Sequence, residues 1–282
     1  MKEKSTEKKP FATPEQYAFC SVFITIAVFL FSGIMLNMLI DDKLGSNIAL
    51  AAGGITGVIL YLIPNKTLDL KRQLKTFDIT VPVMILILNW TACEIASSVY
   101  GMIACRFSSI EPDTNDFSSL IAVIGSVIIA PVSEELMFRL CSMGLIKKFK
   151  GKTFTIFFTT LIFSLMHCFY SIQGMINVFA GAIFFAVCYY YTENIFYSII
   201  AHMLHNLLCI PDFWDKLGVF KNGYSILKPL PLVVYILIFA AGMFWLVRVF
   251  MKKYAVNENI SENALTANAS ETAFSGKSGE KY

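Results

Sequence analysis

The chain has 282 residues, of which 56% are hydrophobic and only 15% charged, with a formal net charge of +3 and a mean hydropathy of +0.63. Soluble domains carry about 25% charged residues, so a water-bathed globular fold is excluded, and no basic stripe interleaved with aromatics points to nucleic acid. The seven cysteines stand singly with no C-x-x-C, and read as small core residues rather than as a disulfide framework or a thiolate metal site.

In chain order, the hydropathy pattern predicts an all-α, polytopic membrane bundle of about eight transmembrane helices. A polar segment, 1–16, holds Lys2, Lys4, Lys8 and Lys9. The apolar run over 17–40 that follows is too long for a signal-peptide core and is not followed by an A-x-A site, so it reads as an uncleaved first span. Further runs over 46–63, 79–104, 117–145, 153–170, 171–191, 195–210 and 229–250 approach or reach the ~20 residues a membrane helix needs. The chain thus divides into N-terminal spans over 17–116, a core rich in intramembrane polar residues over 117–210, and a loop with the last span over 211–254.

Cytoplasmic loops are enriched in Lys and Arg. Lys66, Lys71, Arg72 and Lys75 follow the second span, Lys147, Lys148, Lys150 and Lys152 the fourth, and Arg248, Lys252 and Lys253 the eighth. Both termini are therefore expected in the cytoplasm; Lys216, Lys221 and Lys228 after the seventh span are the exception. Residues 255–282 turn to Asn, Ser, Glu, Ala, Gly and Lys without apolar periodicity, which predicts a disordered cytoplasmic tail.

The polar residues inside the apolar runs carry the functional signal, because a charged side chain at mid-bilayer costs at least about 2.5–3.5 kcal/mol on insertion scales. The run Ala130–Arg139, APVSEELMFR, holds two adjacent carboxylates and a guanidinium. At 100° per residue Glu135 and Arg139 share a helix face, the spacing of an ion pair, while Glu134 is rotated toward a neighbouring face and is available for chemistry. Pro131 removes a backbone donor and frees a carbonyl nearby. The three histidines, His167, His202 and His205, all follow in the apolar half after Glu134. His202 and Asn206 lie four apart on one helix face, whereas His205 points elsewhere. Glu94, with Asn89, reads first as an interior hydrogen-bonded acid; a small transporter using Glu94, Glu134 and Arg139 would be its functional alternative.

The ordered set E-E-x-x-x-R (Glu134, Glu135, Arg139), F-x-x-x-H (Phe163, His167) and H-x-x-x-N (His202, Asn206) resembles the CPBP family, the CAAX-protease and bacteriocin-processing intramembrane proteases also called Abi, which include the type II CAAX prenyl endopeptidases. One departure is Leu140, where the family commonly has Gly after its Arg. The resemblance implies a polar cavity near the cytoplasmic side in which Glu134 and His167 activate a water, while His202 and Asn206 stabilise the oxyanion of a peptide tetrahedral intermediate. Glu135, Arg139 and Phe163 support them. It implies a multi-pass protein of a bacterial cell membrane whose partners are the lipid bilayer and a peptide or protein substrate, prenylated or bacteriocin-like. The preferred reading has no metal. H-E-x-x-H is absent, so a zinc ion would have to be assembled from Glu134, His167 and His202 on three helices. A non-proteolytic membrane scaffold or bacteriocin immunity factor retaining the fold is the alternative.

Overall fold

A computed structural model describes residues 12–104, 119–167, 172–210 and 229–254. The expectations for most of segment 1–16, for the loops around 105–118 and 211–228, for the tail 255–282 and for Cys105 and Cys168 lie outside the described residues. Among those described the chain is helical, with no strand. Helix α1 is Pro14–Asn37, started by Thr13 and Gln16 in a capping box. Helix α2 is Asp42–Asn65, where the Asp41 carboxylate accepts from the Lys43 and Leu44 amides and so draws the helix four residues ahead of the apolar run. A short helix that hydropathy does not reveal, α3, is Leu70–Lys75. Helix α4 is Thr80–Ala104, α5 is Leu120–Ile146, α6 is Lys152–Leu165, α7 is Ile172–Thr192, α8 is Ile195–Leu208 and α9 begins at Pro229 and runs through Trp245 into wide turns over Leu246–Met251.

Six of these helices, α1, α2, α4, α5, α7 and α9, are long and apolar enough to cross a membrane. The other two apolar helices, α6 and α8, stand where spans five and seven were expected but have 14 residues each. That is about 21 Å at 1.5 Å per residue, short of a ~30 Å hydrocarbon core. The protein is a helical membrane bundle that includes two shorter apolar helices, α6 and α8.

Without a hydrophobic drive between helices in lipid, close approach depends on small residues. Gly54 and Gly57 of α2 supply it: a Cβ on Gly54 would stand 2.9 Å from the Ser133 Cα, and one on Gly57 2.9 Å from the Leu136 carbonyl oxygen. The backbone of α5 is thus braced on both sides of its two glutamates. One end of the bundle gathers the basic residues. Lys150 pairs with Glu15 at 2.6 Å, Lys147 with Glu193, Lys148 with Asn65 and Lys253 with Asp78 at 3.5 Å.

Candidate active site

Helix α5 is not regular. Its hydrogen bonds widen to the i→i+5 pattern over Gly125–Ile129 and again over Leu136–Met143, a departure that recurs at functional sites. In the first segment the Ala130 amide donates to the Gly125 carbonyl. In that register the next donor would be residue 131, but Pro131 has no N–H. The Ser126 carbonyl so released accepts instead from Asn206 Nδ2 on α8, at 2.8 Å. The carbonyl freed by Pro131 is therefore tied to the helix that brings His202.

Glu135 is completely buried, between Arg139 and His202. Its Oε2 stands 3.2 Å from Arg139 Nε, the pair expected from their spacing, and its Oε1 accepts from His202 Nδ1 at 2.9 Å. Ser198, one turn before His202, donates its hydroxyl to the Ile195 carbonyl at 3.1 Å. Arg139 also donates from Nη2 to the Ala182 carbonyl on α7 at 3.1 Å, and its guanidinium lies over the Phe163 ring, 4.5 Å from the centroid. The His202 imidazole and the Ala182 carbonyl hydrogen-bond the two ends of this buried pair and the Phe163 ring faces the guanidinium, while among the described residues Arg139 Nη1 has no hydrogen-bond partner. Leu140, in the place of the family's glycine, is 1% exposed and packs among Met143, Ala186, Tyr189, Ile195 and Ile199.

Glu134, rotated from its neighbour as expected, retains 13% side-chain exposure against none for Glu135, and its Oε2 faces His202 Nε2 at 3.8 Å. His202 therefore lies between both carboxylates, with its ring stacked on Phe185 at 5.0 Å. That double engagement, and Phe185 itself, are invisible to spacing rules because the contacts join separate helices. Phe163 is the hub that fixes the other imidazole. Its ring centroid is 4.7 Å from that of His167 and 6.0 Å from that of His202, and its carbonyl lies 2.8 Å from His167 Nδ1. A carbonyl only accepts, so Nδ1 carries the proton and a neutral His167 keeps its lone pair on Nε2. His205 turns away: its ring stands edge-on to Trp90 at 5.8 Å, with Nε2 3.6 Å from Cys209 Sγ.

At 1.5 Å per residue Glu134 is roughly 18 Å along α5 from Ile146, and His167 roughly 22 Å from Lys152. Both distances start from the basic end of the bundle. Helix α6 ends at Leu165 rather than running to residue 170, and His167 sits in the turn beyond it, where the Met166 amide still donates to the Ile162 carbonyl. Among the described residues no three His, Cys, Asp or Glu side chains converge to hold a metal ion. His202 gives Nδ1 to Glu135, which leaves its Nε2 facing Glu134.

Residues 116–208 match the family model described as Type II CAAX prenyl endopeptidase Rce1-like. That segment contains every motif residue named above, and the match bears out over it the resemblance to the CPBP intramembrane proteases. No curated protein matches the chain, and no solved structure does.

Proposed function

We propose, taking residues 116–208 as a segment of the Rce1-like kind, that this membrane protein is a glutamate-dependent intramembrane endopeptidase acting on a CAAX-type peptide. The observation that carries the reading is the unequal environment of the two glutamates. Glu135 is enclosed and engaged by Arg139 and His202, whereas Glu134 remains partly open beside His202. One carboxylate is thereby fixed as structure and the other left for proton transfer, the division of labour general acid–base catalysis needs.

In the proposed reaction a water bound between Glu134 and His167 attacks the scissile carbonyl carbon. Glu134 takes the proton from the breaking O–H bond, and the lone pair of His167 Nε2 accepts the water's second hydrogen in a hydrogen bond. The carbonyl π electrons move onto oxygen, and the resulting oxyanion is held by His202 Nε2–H and by the second N–H of the Asn206 carboxamide. His202 acts here as an imidazolium. Glu134 and Glu135 are then balanced by Arg139 and His202, so the quartet carries no net charge into the apolar interior. When the C–N bond breaks, its electron pair takes the proton back from Glu134.

The test is mass-spectrometric cleavage of matched peptides by purified full-length protein: a prenylated CAAX peptide, the same peptide unprenylated, and a bacteriocin-like leader peptide, each with and without chelator. Release of the C-terminal tripeptide from the prenylated substrate, unchanged by chelator, is expected. Cleavage of the leader peptide alone would move the substrate class, and activity lost in chelator but restored by zinc would overturn the metal-free mechanism. No cleavage of any of the three would favour the scaffold.

A further inference from the structure

The short helix α3 departs from the other basic segments in how its charges are used. In the α5–α6 connection Lys147, Lys148 and Lys150 have protein partners, and Lys152 lies over the Tyr191 ring at 5.0 Å. Lys71 and Lys75 are exposed, and among the described residues neither has an ion-pair partner. Gln73 is the inward side of α3, 5% exposed. Beside it Leu70 and Leu74 are 43% and 59% exposed. At 100° per residue the two leucines stand 40° apart on one flank, and the two lysines stand 40° apart next to them.

Four hydrogen bonds clip this segment to the start of α8. The Gln73 carbonyl accepts from Asn194 Nδ2 at 2.8 Å, and Gln73 Oε1 accepts from the Ile195 amide at 3.0 Å. The Tyr197 hydroxyl donates to the Thr76 carbonyl at 2.8 Å and accepts from the Asp78 amide at 3.0 Å. A helix of six residues has little stability of its own. Here it is held rigidly at the basic end of the bundle, with an apolar pair flanked by a cationic pair facing outward.

We propose that α3 is a docking element for anionic phospholipid headgroups: Leu70 and Leu74 enter the acyl boundary while Lys71 and Lys75 hold the headgroup phosphate. Exposed leucines beside paired lysines on an anchored helix match the chemistry of an anionic membrane surface, where each nearby Lys contributes attraction and the apolar residues contribute burial.

The experiment uses full-length protein in detergent, titrated with phosphatidylglycerol or phosphatidylcholine at equal mole fractions, with melting temperature as the readout. Phosphatidylglycerol should raise it and phosphatidylcholine should not, and added salt should shrink the difference. In K71Q/K75Q the half-saturating mole fraction of phosphatidylglycerol should rise by roughly thirtyfold, K71R/K75R should restore it, and K252Q, at another exposed lysine, should leave it unchanged. Equal phosphatidylglycerol shifts in wild type and K71Q/K75Q would overturn the proposal, as would an equal rise produced by inorganic phosphate alone. Neither result depends on peptide cleavage.

Discussion

Two adjacent glutamates with the same chemistry have opposite fates because one residue of helix is 100° of rotation. Glu135→Gln leaves the buried Arg139 guanidinium without a counter-charge and weakens the bond to His202. Breaking a buried pair by removing one partner typically costs about 3–5 kcal/mol, so this variant should lose melting temperature together with activity, which differential scanning fluorimetry and peptide turnover would read in parallel. Asn206→Ala should lower kcat by about 10²–10³ with little change in KM, as for a lost oxyanion donor. It should also destabilise the fold by about 1–3 kcal/mol, since the Ser126 carbonyl loses its partner. A variant that loses kcat at unchanged melting temperature would show that the Ser126 contact carries no structural weight. The Glu135–Arg139 pair was legible from i,i+4 spacing, and His205 from its angle to His202. The His202–Glu135 bond was not, because spacing describes one helix and that bond joins α8 to α5.

Apolar run length located the helices within a few residues, but it could not reveal α3, whose six residues are mostly charged or polar. It also could not tell a full span from a shorter one at α6, since the apolar run there extends past Leu165, where the helix ends. The i→i+5 turns of α5 were foreshadowed only by Pro131. The role of Gly54 and Gly57 emerges only from packing, against Ser133 and Leu136. Gly54→Ala should force α2 away from the α5 backbone one residue before Glu134, an overpacking cost of about 1–3 kcal/mol, with activity falling in step. Gly151→Ala, whose Cβ would meet nothing within 4 Å, should leave both melting temperature and turnover at wild-type values and serves as its control.

Across the whole molecule, the charges that topology gathers at one end also join helices distant in sequence. Glu193, in the corner between α7 and α8, occupies the left-handed region at φ 50°. Burial pushes its carboxyl up, but Lys147, with Arg72 and Lys148, outweighs it and holds the group below the ordinary value of 4.5. A carboxyl depressed on folding stabilises above its unfolded value, and that stabilisation is lost as pH falls through the folded one. Melting temperature should therefore drop below about pH 4.5 more steeply in wild type than in Glu193→Gln, and the gap between the two should close at the acid end. Parallel curves would mean that the corner pair contributes nothing. The central claim is that Glu134 alone of the two carboxylates carries the proton transfer, and it is tested most directly by one paired measurement on Glu134→Gln in proteoliposomes, melting temperature with single-turnover peptide cleavage. The expected result is a melting temperature equal to or above wild type with no product formed; cleavage at the wild-type rate, or collapse of the fold, would contradict it.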